Sequence, residues 1–392
     1  MIRLPVKFDI RISLVGFVLF IIITGFYGWM IYNKIETDVQ QHAQYAHALV
    51  NDDAKLPPNF LYFFLVSVLA GFSKYKIAFY SASVFLLSFA VTFKFFINAY
   101  YIKKYTKIDH SYLIALFSIF LIFIFCFPGI DFFKTKVFHL GQLAPNVWHN
   151  STIIFLFPFS ILLFFKSYEL LYEDKEIVLG QVTSLVIINA LIKPSFLFTL
   201  IPTFFILFFL QKRNFSKISE LKKTLPFILA MLFISVEYII IYQLNYDSKT
   251  AGAYKGSDVI IAPFEIWKHY SSNIYFSFIS SLLFPLIYVL FTKAMVLKNK
   301  MVLFASINFL IGLLIYIFFA EGGYRKLHGN FGWQIVTANY LLFFSFMLYL
   351  INDIKTSVKV NPKQVILCIL FLLHFGWGLI YLLKIIVVKS HS

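Results

Sequence analysis

The first residues that could do chemistry lie in a polar segment, about residues 33–57, directly after a strongly apolar stretch. It contains the carboxylates of Glu36 and Asp38, followed by His42 and Tyr45. Asp38, His42 and Tyr45 are spaced i, i+4 and i+7, so a short helix would place them on one face. A carboxylate placed in this way can act as a general base toward a hydroxyl group. The alternative is a solvated acidic loop without a catalytic role.

A second polar segment, about residues 129–150, ends in Trp148, His149 and Asn150 before another apolar stretch. A Trp ring can pack on the apolar face of a sugar, while amide and imidazole groups hydrogen-bond its hydroxyls. The three residues are therefore predicted to bind substrate. The alternative is a Trp at the membrane interface with a helix cap from Asn150 or Ser151.

A third candidate is the glycine-rich segment 321–333, in which Arg325, Lys326 and His328 fall within four residues. Arginine makes bidentate contacts to phosphate, and glycines let backbone N–H groups approach an anion. This segment is predicted to bind the phosphate end of a lipid-linked substrate. The alternative is a flexible external turn that touches lipid headgroups.

Two further charges stand out because they lie in or beside apolar stretches. Lys193 is predicted either to bind substrate or to reach the interface with its charged end. Glu237 lies inside a stretch and is predicted to face a partner or a polar cavity, since a charge in a span is costly. The spacing of His139 and His149 matches no metal-ligand pattern. No metal site or cofactor is predicted, and a need for a divalent metal stays open.

The elements that must position these residues are membrane helices. The chain has 392 residues, of which 60% are hydrophobic and 13% charged, against about 25% charged in soluble proteins. Its net charge of +16 is explained by lysines beside the spans, which set topology and touch anionic lipids. Nucleic-acid binding is therefore not expected. Enrichment in Phe, Ile, Lys and Asn is typical of AT-rich bacterial genomes.

We predict an all-α fold, a polytopic bundle of about 11 spans (10–13) with short loops, forming one domain over residues 1–392. The acidic external loop 33–57 belongs to it, and no separate soluble domain is expected. Segment 58–72 follows Pro57-Pro58 and is predicted to dip into the membrane without crossing it. With a cytoplasmic N-terminus, the short inner segments are the richest in Lys and Arg, and the candidate site residues all fall outside. The predicted spans are about 12–32, 77–98, 111–128, 151–166, 177–193, 196–211, 224–243, 274–293, 301–320, 333–351 and 364–386.

The N-terminal quarter also resembles a known family. Asp38 soon after the first span, the YAHAL run at 45–49 and the PPNFLY run at 57–62 are similar to the start of the GT-C superfamily. These are polytopic glycosyltransferases that use polyprenyl-linked sugars. The resemblance covers about residues 12–98 and implies a catalytic carboxylate in the first external loop. Many members have two adjoining acidic residues, whereas Asp38 has Thr37 and Val39 beside it, so the base is either Asp38 or Glu36.

The sequence and the resemblance together favour an inverting glycosyltransferase of the bacterial cytoplasmic membrane, with its active site on the extracytoplasmic side. The predicted donor is a polyprenyl-phosphate sugar, and the acceptor is a lipid-linked glycan or another surface glycan. The alternatives are a polysaccharide polymerase or ligase of the O-antigen or capsule type, or a transporter of lipid or polysaccharide. The chain contains no Walker A, H-E-x-x-H or G-x-S-x-G motif.

Overall fold

A computed structural model describes residues 9–132, 141–173, 177–211, 218–243 and 258–389. This part of the chain is an assembly of helices with one two-stranded antiparallel sheet, in which β1 (Val259–Ile261) pairs with β2 (Phe319–Glu321). The α-helices are α1 (Ile10–Tyr32), α2 (Asp38–Asn51), α3 (Leu61–Leu69), α4 (Lys76–Thr106), α5 (Ser111–Phe123), α6 (Ser151–Tyr172), α7 (Val178–Ile192), α8 (Leu197–Leu210), α9 (Ile218–Lys222), α10 (Leu225–Tyr238), α11 (Glu265–Tyr270), α12 (Ile274–Ser281), α13 (Leu283–Phe291), α14 (Lys300–Phe318), α15 (Trp333–Thr356) and α16 (Pro362–Val388). Short 3-10 helices cover Pro194–Phe196, Met295–Lys298, Gly323–His328 and Asn330–Gly332, and a π-helical turn covers Ile239–Gln243.

The all-α, multi-spanning class is confirmed, but the count of 11 spans is not. Within the described residues, seven helices are long and apolar enough to cross a membrane, or eight if the bent pair α12–α13 forms one span. The other three predicted spans fall on α5, α7 and Pro194–Leu210, which have 10–17 residues. At 1.5 Å per residue such helices fall short of a hydrocarbon core about 30 Å thick.

The segment after the two prolines forms α3, a helix of nine residues. Nine residues rise about 14 Å, which is less than half of the hydrocarbon thickness. Gly71 and Phe72 then adopt positive φ angles of +61° and +51° and end the helix. A helix of this length is too short to cross, which agrees with the prediction for segment 58–72, and α3 packs against both α2 and α4.

The most buried helices form the interior of the bundle. In its most apolar 18-residue window, the span ending in α15 is 94% buried, and α6 and α4 also lie mainly inside. The span Ile218–Ile241 is only 22% buried, and α1 and α16 are similarly exposed. Helices that are apolar on all sides are typical of contact with lipid. The polar groups inside the bundle are therefore surrounded by apolar helices.

The segment before α6 is anchored to the bent pair α12–α13, whose two helices meet at 73°. The Gln142 amide hydrogen-bonds the hydroxyls of Ser277, Ser280 and Ser281. The backbone N–H of the neighbouring residue, Leu143, donates to the Ser281 hydroxyl at 2.9 Å. These bonds satisfy polar groups at the helix break and fix the chain that leads to Asn150.

A close approach between α5 and α16 gives a first prediction. Gly378→Ala is expected to lower the melting temperature, because the added Cβ would collide with the carbonyl oxygen of Phe123. Overpacking of this kind costs about 1–3 kcal/mol. The matched control is Gly376→Ala on the same helix, where the Cβ meets nothing within 4 Å. Thermal unfolding in detergent measures both variants, and equal melting temperatures would contradict the close contact.

Candidate functional site

A cavity of about 530 Å³ lies among α2, the Lys193–Ser195 break, α10, the small sheet and the N-terminal end of α15. Its lining contains polar, aromatic and apolar residues. The polar lining residues include Lys55, Lys193, Ser195, Glu237, Glu321 and Arg325. The aromatic lining residues include Tyr45, Tyr238, Phe331 and Trp333, and the apolar ones include Phe198, Ile234, Ile241, Ile315 and Phe319.

Lys193 interacts with several other charged groups at this cavity. Its ammonium interacts electrostatically with the carboxylate of Asp38 and with the guanidinium of Arg325, and also with Glu237 and Glu321. The ammonium lies 5.0 Å from the centre of the Trp333 ring, within cation–π range. An acidic residue from the amino-terminal part and a cation from the carboxy-terminal third therefore act on the same lysine.

Asp38 is held beside the cavity by the start of α6. The Asn150 amide Nδ2 donates to Asp38 Oδ2 at 2.5 Å. The orientation of this amide is fixed, because its Oδ1 accepts from the N–H of Ile153 at 3.0 Å and from the Thr152 hydroxyl at 2.9 Å. The partial positive charge at the α6 N-terminus also favours a negative charge here. Asp38 is half-buried and is not itself a lining residue.

The predicted short helix is α2, and it places Asp38 and His42 on one face as expected. His42 Nδ1 lies 2.6 Å from the Ser151 hydroxyl, one residue after the Asn150 partner of Asp38. Burial, and secondarily the charge of Lys193, lowers the pKa of His42 to about 3. The imidazole is therefore neutral at physiological pH. Tyr45 lines the cavity, and its hydroxyl donates to the Lys55 carbonyl at 2.7 Å.

The lowered pKa of His42 predicts acid sensitivity. The ordinary value is 6.5, so the stability supplied by neutral His42 is complete above about that pH and is lost as pH falls toward 3. From about pH 7 to about pH 4, we expect the wild-type melting temperature to fall more steeply than that of His42→Gln. Glutamine can still hydrogen-bond Ser151 but does not titrate. Parallel curves would show that His42 is not buried in its neutral form.

Of the three cationic side chains predicted near residue 325, only Arg325 lines the cavity. Its Nε lies 3.2 Å from Glu321 Oε2, which also accepts from Asn330 Nδ2 at 2.5 Å. Lys326 instead forms an ion pair with Glu265 at 2.8 Å, and His328 is exposed. Neither residue is part of the lining. Lys326 is directed away from Arg325 because successive side chains of the 3-10 helix Gly323–His328 point in different directions.

The other predicted site residues, Trp148, His149 and Glu36, do not line the cavity. Trp148 is 3% exposed and stacks on Phe123, with ring centres 5.6 Å apart, so its packing is that of a core residue outside the lining. His149 is buried behind the lining, where its ring lies 5.8 Å from that of Trp333. Glu36 is exposed in the turn before α2 and is also outside the lining.

Glu237 faces this polar cavity, as its position inside an apolar span predicted. Sequence reasoning missed Glu321, Ser195 and Trp333 as lining residues. Glu321 had a detectable signal, since it is an acidic residue directly after a span, whereas a serine or tryptophan beside a span is common. Among the described residues, no three His, Cys, Asp or Glu side chains are grouped closely enough to hold a metal ion.

No family model matches this sequence, and no curated protein is significantly similar to it. The chemistry of the cavity is therefore judged from its own residues. They combine apolar residues, cations and carboxylates in one lining with an oriented carboxylate, that of Asp38, beside it. This arrangement suits an amphipathic ligand that carries an anionic group.

Proposed function

We propose that this protein is a membrane glycosyltransferase that moves a sugar from a polyprenyl-phosphate donor to a glycan or glycolipid acceptor. The observation that carries the proposal is one cavity lined by both Lys193 and Arg325, with the carboxylate of Asp38 oriented by Asn150 beside it. Transfer of a sugar from a phosphate leaving group requires a base for the acceptor hydroxyl and, close to it, cations that stabilise the phosphate. The resemblance of the N-terminal quarter to the GT-C superfamily supports the same reaction class.

The composition of the lining supports a lipid-linked donor. Its apolar residues, which include Ile234, Ile241 and Ile315, offer contacts for an isoprenoid chain. Ile234 and Ile241 belong to the span Ile218–Ile241, which is only 22% buried and hence accessible from lipid. Lys193 and Arg325 also line the cavity, where a phosphate would meet them.

In the proposed reaction, the acceptor oxygen attacks the anomeric carbon of the sugar as Asp38 takes the hydroxyl proton. The bond from this carbon to the phosphate oxygen breaks, and the electron pair leaves with the polyprenyl phosphate. Lys193 and Arg325 stabilise the charge that develops on the leaving group. A single displacement inverts the anomeric carbon, and a second nucleophilic carboxylate is not needed.

Asp38 is favoured over Glu36 as the base. Neither residue is in the lining itself, but Asp38 is half-buried, is oriented by Asn150 and interacts with the charge of Lys193, whereas Glu36 is exposed. Tyr45 lies on the same helix as Asp38 and reaches the cavity, so we propose that the acceptor binds along this face of α2. Glu237 and Trp333 are then available for the sugar, as a hydroxyl acceptor and an apolar ring face.

We also propose an orientation, in which the cavity opens on the extracytoplasmic side of a bacterial cytoplasmic membrane and the N-terminus lies in the cytoplasm. Single cysteines replacing the exposed residues Asp52, Lys268 and His328 would test this arrangement. All three should react with a membrane-impermeant thiol reagent added from outside. Protection of one position while the others react would contradict the common orientation.

The activity itself is tested with the full chain in proteoliposomes and a radiolabelled polyprenyl-phosphate sugar. Transfer of label to an added glycolipid acceptor supports the proposal. Movement of intact labelled lipid between leaflets without product would favour the transporter instead. Growth of a polymer from polyprenyl-diphosphate oligosaccharide would favour a polymerase.

A further inference from the structure

The break between α7 and the helix Pro194–Leu210 opens at the cavity. Lys193, Pro194 and Ser195 all line it. Lys193 ends α7 in an extended conformation, and a new helix starts at Pro194. The first N–H groups of a helix have no intrahelical acceptors and carry partial positive charge. A helix that is interrupted at such a place often directs this end toward an anionic ligand in membrane proteins.

Ser195 supplies an independent observation. It is only 5% exposed, and its hydroxyl has no hydrogen-bond partner among the described residues. Buried hydroxyls are ordinarily hydrogen-bonded, so one without a partner at a cavity wall is a donor available to a ligand. In the same described part of the chain, the Lys193 ammonium forms no ion pair, and it lies 5.0 Å from the centre of the Trp333 ring.

We propose that Lys193, Ser195 and the N-terminus of the helix Pro194–Leu210 form an anion cradle for a phosphate group. Its donors are an ammonium, a hydroxyl and backbone N–H groups, a combination that favours an anion over a neutral sugar hydroxyl. The inference rests on the proposed function for the source of the phosphate, a lipid-linked donor. Phe198, an apolar residue of the same helix that also lines the cavity, favours a lipid source over free phosphate.

Binding of farnesyl phosphate to the detergent-solubilised full chain, measured by isothermal titration calorimetry, tests the cradle. Lys193→Met should weaken binding by about 10–100-fold and Ser195→Ala by about 3–10-fold, the effects of losing a charged and a neutral donor. The matched controls are Lys268→Met and Ser184→Ala, which change exposed residues outside the lining and should bind as the wild type does. Ser195→Ala should also keep or raise the melting temperature, because it removes an unsatisfied hydroxyl.

Competition identifies the source of the phosphate. Displacement by farnesyl phosphate with little effect of inorganic phosphate or farnesol supports a lipid phosphate. Equal displacement by inorganic phosphate supports the cradle but overturns the lipid source. If Lys193→Met and Ser195→Ala bind farnesyl phosphate as tightly as the controls, the cradle is wrong even where sugar transfer is observed. If both weaken binding while no transfer occurs, the cradle stands and the proposed enzyme activity fails.

Discussion

Asp38→Asn is expected to lower the rate of sugar transfer by about 10²–10⁴-fold, the contribution typical of a general base. Asparagine has nearly the same size, and its amide oxygen can still accept the hydrogen bond from Asn150. It cannot take a proton from the acceptor hydroxyl. Initial rates in proteoliposomes, measured with a radiolabelled polyprenyl-phosphate sugar, report the loss. Binding of farnesyl phosphate to this variant should stay within a few-fold of the wild type.

The matched control is Asp53→Asn, which neutralises an exposed carboxylate just after α2. We expect it to keep nearly the full rate. Glu36→Gln separates the two candidate bases, and a loss in Glu36→Gln with little change in Asp38→Asn would transfer the role to Glu36. Glu237→Gln should mainly raise the concentration of donor needed, since Glu237 is proposed to bind the sugar. Near wild-type transfer by Asp38→Asn would remove Asp38 from the chemistry.

The general architecture and part of the site could be predicted from the sequence. Apolar runs reveal helices directly, and the i, i+4 spacing correctly aligned Asp38 with His42. Glu237 was detectable because a charge inside an apolar run needs a polar environment. These predictions succeed because each depends on local pattern and burial, which a single segment already contains.

The rest depended on contacts between distant segments. Trp148 looked like a sugar platform because Trp is common at interfaces, but a pocket formed by Phe26 and Phe123 receives its ring. Composition alone does not distinguish a short apolar helix from a membrane span. Three of the 11 predicted spans fall on helices of only 10–17 residues, which accounts for the smaller number of long apolar helices in the structure. The role proposed for Ser195 depends on the helix break lying at the cavity, which the sequence does not show.

Lys94 is a second ionisable residue inside a span, and sequence reasoning missed it. Its Nζ lies 3.7 Å from the centre of the Phe157 ring and 3.8 Å from that of Tyr340. It donates to Asn146 Oδ1 at 2.5 Å, and Asn146 Nδ2 in turn donates to the carbonyls of Leu121 and Ile124. This buried network joins α4, α6 and α15 to the segment that leads to Asn150, and therefore helps to place the partner of Asp38.

Asn146→Ala is expected to lower stability by about 1–3 kcal/mol, because it leaves the buried amino group of Lys94 without its hydrogen-bond acceptor. The double variant Lys94→Met/Asn146→Ala should be more stable than Asn146→Ala, since the unsatisfied donor is gone. Thermal unfolding in detergent of the wild type, both single variants and the double variant gives the coupling free energy. Additive effects would show that the two side chains do not interact.

A matched control, Asn299→Ala, removes only a helix cap and should cost about 1 kcal/mol. Because Asn146 lies four residues before Asn150, loss of the network should also reduce transfer in any variant that still folds.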